Sequence, residues 1–179
     1  AAGVISWQDT RNRQQLDALQ AEHAAIRTLT GLRPNAHYGA SKMRWLLDNN
    51  MAVQGEYAKN NLLFTPLAAW LASQLTGSVE CRVDAVIASR TLLTALGEMH
   101  WHEKLLKLFG IDASCLPCIV PSLHDFGCVS VAGKNIPLQL TGGDQSFIAF
   151  ASGFPVSANH AYVNVGSGAF VQMLKPESC

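Results

Sequence analysis

Charged residues are scarce in this chain, and neither sign is in excess. Only 15% of the 179 residues are charged, and 13 basic side chains balance 13 acidic ones. A protein that binds nucleic acid through bulk charge needs a basic excess to neutralise phosphates, so we exclude that class. Because 49% of the residues are hydrophobic and the net charge is zero, the composition also excludes a disordered chain.

Long hydrophobic runs and a secretory leader are missing as well. No run approaches the roughly 20 apolar residues that a membrane-spanning helix needs, and the first ten residues lack a basic n-region and an apolar h-region. The cysteines number five, and an odd count suits a reduced cytosolic protein better than a disulfide scaffold. We therefore expect a cytoplasmic protein without a membrane partner.

Four potential metal ligands lie close together in the sequence. Cys115, Cys118, His124 and Cys128 form the pattern C-x2-C-x5-H-x3-C, which could close on one tetrahedral zinc ion. The Cys-x-Pro-Cys spacing is also typical of a thioredoxin-like redox pair. The residues between these ligands are largely apolar, however, which favours free cysteines that act as small packing residues.

Helical and strand-like segments alternate along the chain, so we predict the α/β class. Helical spacing of apolar residues predicts helices over 11–27, 41–49, 66–77, 84–96, 101–109 and 144–151. Short apolar runs predict strands over 4–7, 62–64, 129–131, 136–140, 161–165 and 169–174.

Two glycine motifs lie in the last third of the chain. Gly142 and Gly143 precede Asp144 and Gln145, at the carboxyl end of a predicted strand, where open α/β sheets bind ligands. A carboxylate there could accept a proton from a substrate hydroxyl, or it could be an ordinary helix N-cap. The second motif, 166–168, could offer backbone N–H groups to a phosphate or form a plain hairpin turn.

Two segments in the first third carry further polar and aromatic groups. The sequence WQDTR, residues 7–11, could bind hydroxyl groups, or it could cap a helix and pair across a turn. The segment 37–49 leads from a ring-bearing loop into an amphipathic helix. There the plain interpretation places Trp45 in the core and leaves Lys42 and Arg44 solvated.

The order of these motifs resembles that of the FGGY family of carbohydrate kinases. WQDTR, then TGLRPNAHYGASKMRWLLDN, then DAVIASRT, Gly-Gly-Asp-Gln and a glycine-flanked serine follow one another over about residues 4–174. The stretch KMRWLLDN is similar to the second half of a family signature, whereas Gly39 departs from the Ser, Thr or Pro often found there. Leu116-Pro117 is similar to a family Leu-Pro, which weakens the zinc and redox alternatives.

The resemblance implies an ATP-dependent kinase, with Mg²⁺, that phosphorylates a hydroxyl group of a ketose or polyol. It implies that Asp144 is the catalytic base and that the Gly166–Gly168 turn lies near the ATP phosphates, with Ser167 replacing a threonine. His37 falls where glycerol kinases carry an aromatic residue that contacts the substrate. The residues expected at the sugar are His37, Gln145, Asp9 and Trp7; those expected at the nucleotide are Gly166, Ser167 and Gly168.

The resemblance also implies how the chain is divided. The fold class expected is α/β, an incomplete ribonuclease-H-like (actin-like ATPase) domain plus the first hairpin of the second domain. Residues 1–155 would form most of the first domain and 156–179 that hairpin. The family's Asp-Gly-Thr phosphate loop would precede residue 1, so we expect a fragment that is inactive alone, from a parent that could be a homodimer. The alternative is a non-enzymatic small-ligand or zinc-binding module.

Overall fold

The computed structural model describes residues 3–153, 158–166 and 168–173. The chain divides into two compact units, Ala1–Thr141 and Gly142–Cys179. No helix within the described ranges is long and apolar enough to cross a membrane.

The first half of the larger unit is helical. Its helices are α1 (Arg13–Ala18), α2 (His23–Thr30), α3 (Gly39–Asn49), α4 (Met51–Ala58) and α5 (Leu67–Thr76), with a short 3-10 helix at Gln20–Glu22. The predicted single helix over 11–27 is therefore interrupted. Asn12, before α1, has a left-handed backbone (φ 62°), and Leu19 leaves helical geometry at the end of α1 (φ −89°, ψ 15°).

The second half of this unit contains short strands and two helices. Strand β1 (Arg82–Asp84) leads directly into α6 (Ala85–Ser89), and α7 (Glu103–Phe109) and a 3-10 helix (Ala113–Cys115) precede β2 (Cys118–Val120). β1 and β2 are parallel, with Asp84 opposite Val120. The strands β3 (Cys128–Val131) and β4 (Lys134–Pro137) form an antiparallel hairpin. Helix α6 is shorter than the predicted helix over 84–96.

The main core of the larger unit is formed by side chains of α1 to α4 and α7, together with the segments that follow α6 and α7. Its buried side chains include Ile26, Leu92, Leu93, Leu105 and Phe109, each at most 1% exposed. Close packing of such apolar groups is the main favourable contribution to folding. A second cluster places Val83 of β1 against Ala69 of α5 and Ala88 of α6.

The smaller unit begins with a helical turn and continues as a hairpin. Helix α8 (Asp144–Phe147) runs into a 3-10 helix (Ile148–Ser152), and β5 (Ala161–Val165) pairs with β6 (Ala169–Met173). The antiparallel register places Val163 opposite Val171. The prediction of two strands separated by a glycine turn is thus confirmed for the residues described.

Two predicted strands are wrong. The segment 4–7 is irregular, with Val4 77% and Trp7 62% exposed, because the backbone turns there, with Asp9 N donating to Ser6 O at 3.1 Å. The segment 62–64 is also irregular. Phe64 is buried, but its N–H bonds to Cys115 O at 2.8 Å without a strand ladder around it.

Candidate functional site

Asp9 and Arg11 form a closed ion pair in the segment before α1. Asp9 Oδ2 accepts hydrogen bonds from Arg11 Nε at 2.9 Å and from Nη2 at 2.6 Å, and Asp9 Oδ1 accepts from the Arg11 backbone N–H at 2.8 Å. The guanidinium carbon in turn lies 4.5 Å from the ring centroid of Trp45, a distance typical of a cation–π contact. Both carboxylate oxygens of Asp9 are therefore bound to the residue two positions ahead.

These hydrogen bonds determine the charge of Asp9. Because they favour the ionised carboxylate, they lower the pKa of Asp9 from 3.8 to about 2, with the Arg11 side chain as the largest cause. The same hydrogen bond raises the pKa of Arg11. The pair is thus fully ionised at neutral pH, and Asp9 acts on its surroundings mainly by orienting Arg11.

The structure brings Trp7 and His37 together, although 29 residues separate them in the sequence. Their ring centroids are 5.5 Å apart and the ring planes meet at 76°, an edge-to-face arrangement. Both side chains are exposed, so the two rings present a small aromatic surface to solvent. Two of the four residues expected at the sugar are therefore neighbours.

Lys42 is a residue that sequence reasoning missed. The plain interpretation left it solvated, but it is 7% exposed, and its Nζ donates to backbone carbonyl oxygens of Trp7, Ala36 and His37. Burial is the largest cause of the lowered pKa of Lys42. Residues 40–43 of α3 are all buried. The acceptors of Lys42 are backbone carbonyl groups, however, and a backbone carbonyl leaves no side-chain pattern in the sequence from which this position could be predicted.

The smaller unit holds the candidate base. Gly143 has an extended backbone and precedes α8, which starts at Asp144, so the carboxylate lies at the start of the helix as predicted. Asp144 is exposed. Its Oδ2 accepts a hydrogen bond from Gln145 Nε2 at 3.2 Å, whereas Oδ1 has no hydrogen-bond partner within the described part of the chain.

Gln145 connects this helix start to the hairpin of the same unit. Its Oε1 accepts from Asn164 Nδ2 of β5 at 3.1 Å, and its backbone carbonyl accepts from Gln172 Nε2 of β6. The side-chain amide of Gln145 therefore contacts Asp144 on one side and Asn164 on the other. Asn164 and Gln172 were not among the residues predicted for the site.

The glycine turn of the hairpin is described only in part. Gly166 N donates to Gly168 O at 2.8 Å, which closes the turn between β5 and β6. A Cβ at Gly166 would meet no atom within 4 Å, so the backbone here is open to a ligand. Ser167, the predicted hydroxyl of this turn, lies outside the described residues.

The zinc hypothesis finds no support. Within the ranges that the structure describes, no three His, Cys, Asp or Glu residues are grouped so as to hold a metal ion. Cys115 is buried, with its Sγ 2.9 Å from Asp112 O, and burial raises its pKa. Cys118 and Cys128 are both exposed free cysteines, at the starts of β2 and β3. Cys115 is thus a packing residue, as the apolar surroundings indicated, whereas that expectation is wrong for Cys118 and Cys128, which are exposed.

Comparison with known proteins decides the family. The sequence model of the FGGY family of carbohydrate kinases, N-terminal domain, matches residues 2–151. The chain belongs to the FGGY family of carbohydrate kinases. It is 35% identical over 178 residues to a glycerol kinase from Alcanivorax borkumensis, an alignment that covers 96% of this chain and 35% of that kinase. A glycerol kinase from Rhodopirellula baltica is 35% identical over 176 residues, with 95% of this chain and 32% of that protein covered.

Solved FGGY kinases share the fold. Plasmodium falciparum glycerol kinase with ADP superimposes with a TM-score of 0.73 at 31% identity, over 82% of this chain and 31% of that one. A xylulose kinase from Rhodospirillum rubrum gives a TM-score of 0.75 at 21% identity, over 90% and 33% of the two chains. The predicted α/β, actin-like ATPase fold class is confirmed. This FGGY chain spans about a third of the length of the curated relatives it matches.

Proposed function

We propose that this chain supplies the sugar-side part of an ATP-dependent kinase that phosphorylates a hydroxyl group of a polyol or ketose. Membership of a carbohydrate kinase family supports the reaction class, and glycerol kinases among its relatives support a small polyhydroxylated substrate. The observation that carries the proposal is the exposed Asp144 carboxylate behind two glycines, held by Gln145 at 3.2 Å.

Asp144 would act as the general base. A carboxylate can accept the proton of a substrate hydroxyl when an oxygen comes within about 3 Å of it. Oδ2 already receives the Gln145 amide, so Oδ1 is the oxygen that would take the proton. Gln145 would keep the carboxylate oriented, and Asn164 would in turn orient Gln145 through its contact with Oε1.

His37 and Trp7 would contact the sugar. Their exposed edge-to-face rings offer an apolar surface for the C–H groups of a polyol and a histidine ring that can hydrogen-bond a hydroxyl. Asp9 would contribute by holding Arg11 over Trp45, because both of its oxygens are bound to Arg11. A histidine at position 37 leaves both a polyol and a ketose possible as substrates.

ATP with Mg²⁺ is the cofactor expected of this reaction. The exposed turn leaves open space for a phosphate beside the backbone of Gly166, with Ser167 next in the chain as the proposed hydroxyl. Mg²⁺ in kinases is usually bound by one or two carboxylates and the substrate phosphates rather than by a protein cage. When bound, MgATP supplies the γ-phosphoryl group and neutralises the charge that develops on it.

The proposal includes the division of the chain at residues 155 and 156, into most of a first domain and the opening hairpin of a second. It also includes a cytoplasmic location and allows a homodimer of the whole kinase. Because the chain spans about a third of the length of its glycerol kinase relatives, we expect that the 179-residue chain alone does not turn over.

A coupled assay for ADP release tests this proposal. A complete kinase that carries this segment should release ADP in response to glycerol or to one of xylulose, ribulose and sedoheptulose, and the isolated chain should not. Failure of the complete kinase with every polyol and ketose would refute the activity. Substrate-dependent ADP release by the isolated chain at a normal kinase rate would refute the division.

A further inference from the structure

The side chain of Lys42 is buried without a carboxylate as its hydrogen-bond partner. Lys42 is the fourth residue of α3 and is only 7% exposed, whereas lysine is almost never fully buried unless its ammonium is paired. Asp9 acts on Lys42 through charge, but the two oxygens of Asp9 bind Arg11. The partners of this ammonium must therefore be other acceptors.

Three backbone carbonyl oxygens fill that role. Lys42 Nζ lies 2.8 Å from Ala36 O, 2.9 Å from His37 O and 3.2 Å from Trp7 O. An ammonium group has three donors and no acceptor, so these contacts use all of its hydrogen-bonding capacity. Hydrogen bonds from a charged donor are about twice as strong as neutral ones.

These carbonyls belong to two separate segments of irregular backbone. Trp7 lies 35 residues before Lys42 in the segment that precedes α1, and His37 lies in the loop between α2 and α3. The rings of Trp7 and His37 are exposed, so packing against the core restrains their positions only weakly. Lys42 connects the backbone of Trp7 to the backbone of His37, the two residues whose ring centroids are 5.5 Å apart.

A second side-chain hydrogen bond also connects the segment before α1 to α3. Asn12 Nδ2 donates to Ser41 O at 3.0 Å and to Gln15 Oε1 at 2.8 Å, which attaches the end of the first segment to α3. Asn12 lies five residues after Trp7, however, and its hydrogen bonds do not reach the loop that contains His37. Among the described residues, Lys42 is the one whose side-chain hydrogen bonds reach both Trp7 and His37.

We propose that Lys42 is a positioning residue that holds Trp7 and His37 in one fixed arrangement, and thereby shapes the surface that faces the sugar. The role at the sugar rests on the proposed function, whereas the arrangement of the rings does not. Lys42 does not reach the substrate itself, because its three donors point to the backbone. It acts through the two residues that it fixes.

NMR spectroscopy of the 179-residue chain tests the arrangement of the rings. In the wild type we expect a nuclear Overhauser contact between the Trp7 and His37 rings. Lys42→Met keeps most of the aliphatic stem and removes the donors, so this contact should weaken severalfold or disappear. The indole N–H of Trp101, which donates to Pro117 O at 2.8 Å, should keep its chemical shift and shows that the fold persists.

Lys42→Arg is the conservative variant. Arginine keeps a cation with several donors, so we expect the contact between the Trp7 and His37 rings to return in part. If Lys42→Met acted only through lost packing, this recovery would not be expected. Unchanged ring contact in Lys42→Met, with an unchanged Trp101 signal, would overturn the proposal. If Lys42→Met does not fold, the wild type decides: slow proton exchange of the Lys42 ammonium relative to exposed Lys104 supports the proposal, and equally fast exchange overturns it.

Titration with glycerol and with xylulose separates this inference from the proposed function. We expect shift changes at His37 and Trp7 in the wild type, and an apparent affinity about tenfold weaker in Lys42→Met, which corresponds to about 1.4 kcal/mol. Absence of any shift in the wild type counts against the sugar site, while the ring contact still decides the role of Lys42. Equal affinity in both chains would overturn the effect of Lys42 on the sugar surface.

Discussion

Asn164 Nδ2 donates a hydrogen bond to Gln145 Oε1 at 3.1 Å. The bond links the middle of strand β5 to the residue that follows the candidate base, within the smaller unit. Gln145 Nε2 also donates to Asp144 Oδ2. Hydrogen bonds at both its oxygen and its nitrogen therefore fix the orientation of the Gln145 side-chain amide. The orientation of the Asp144 carboxylate therefore depends on a side chain 20 residues further along the chain.

Asn164→Ala should weaken catalysis without removing the base. The variant frees Gln145 Oε1, and a single hydrogen bond is worth about 0.5–1.5 kcal/mol, so kcat/KM of a complete kinase that carries this segment should fall about 2- to 12-fold. Steady-state kinetics measures this. Asn135→Ala, at an exposed position of β4, is the control and should leave kcat/KM unchanged; an equal loss in both variants would contradict the link.

The Asp9–Arg11 pair should make stability depend on pH in the acid range. The folded pKa of Asp9 is about 2, and the unfolded value is about 3.9. Its ionised form is favoured by folding, so the contribution is complete above about pH 4 and is lost as the pH falls towards 2. Urea unfolding should show a steeper loss of stability between pH 4 and 2 for the wild type than for Asp9→Asn. Equal slopes in the two proteins would count against the pair.

Asp84 should produce a pH dependence of the opposite sign. Its Oδ1 caps α6 by accepting from Val86 N and Ile87 N at 3.0 and 3.1 Å, while Oδ2 is buried and has no hydrogen-bond partner among the residues that the structure describes. Burial is the largest cause of the raised pKa of Asp84. Between the unfolded pKa of about 3.9 and the raised folded pKa, Asp84 is protonated more in the folded state than in the unfolded state. The free energy of unfolding therefore falls as the pH rises through this window.

Two substitutions separate the cap of Asp84 from its charge. Asp84→Asn keeps a capping oxygen and removes the ionisation, so the fall in stability with rising pH should flatten. Asp84→Ala also loses the cap, which should cost about 1 kcal/mol more than Asp84→Asn. Urea unfolding at several pH values measures both effects. A pH profile of Asp84→Asn identical to that of the wild type would show that Asp84 does not titrate in this window.

The cysteine cluster should not bind zinc stoichiometrically. Structural zinc contributes directly to folding free energy, so a real site would make stability sensitive to chelators. We expect the purified chain to contain little zinc by mass spectrometry, and Cys118→Ser and Cys128→Ser to leave its melting temperature unchanged. One zinc ion per chain, lost in either variant, would contradict the structure at β2 and β3.

Local patterns predicted much of the fold. The segment 41–49 was predicted helical and lies in α3. The predicted helix over 66–77 contains α5, which lies between Pro66 and Gly77, residue types that favour the start and end of a helix. The predicted helix over 101–109 contains α7, which ends before Gly110. These predictions succeeded because caps and apolar spacing act over a few residues. The segment 4–7 failed because an apolar run alone does not provide a neighbouring strand.

The candidate site was predicted less completely, for a physical reason. Asp144 and the two glycines before it form a local pattern that a sequence displays, and Trp7 and His37 followed from the family resemblance. Lys42 and Asn164 act through long-range hydrogen bonds to a backbone carbonyl and a side-chain amide, respectively. Such contacts depend on how distant segments pack, and no local spacing of residues predicts them.

The most direct test of the central claim is the turnover of a complete kinase that carries this segment, with Asp144 replaced by Asn. The substitution keeps the shape of the side chain and removes its ability to accept a proton. We predict that kcat falls about 10²- to 10⁴-fold, that far-ultraviolet circular dichroism is unchanged, and that Asp17→Asn, at an exposed aspartate of α1, retains full activity. Undiminished kcat in Asp144→Asn would contradict the assignment of Asp144 as the base.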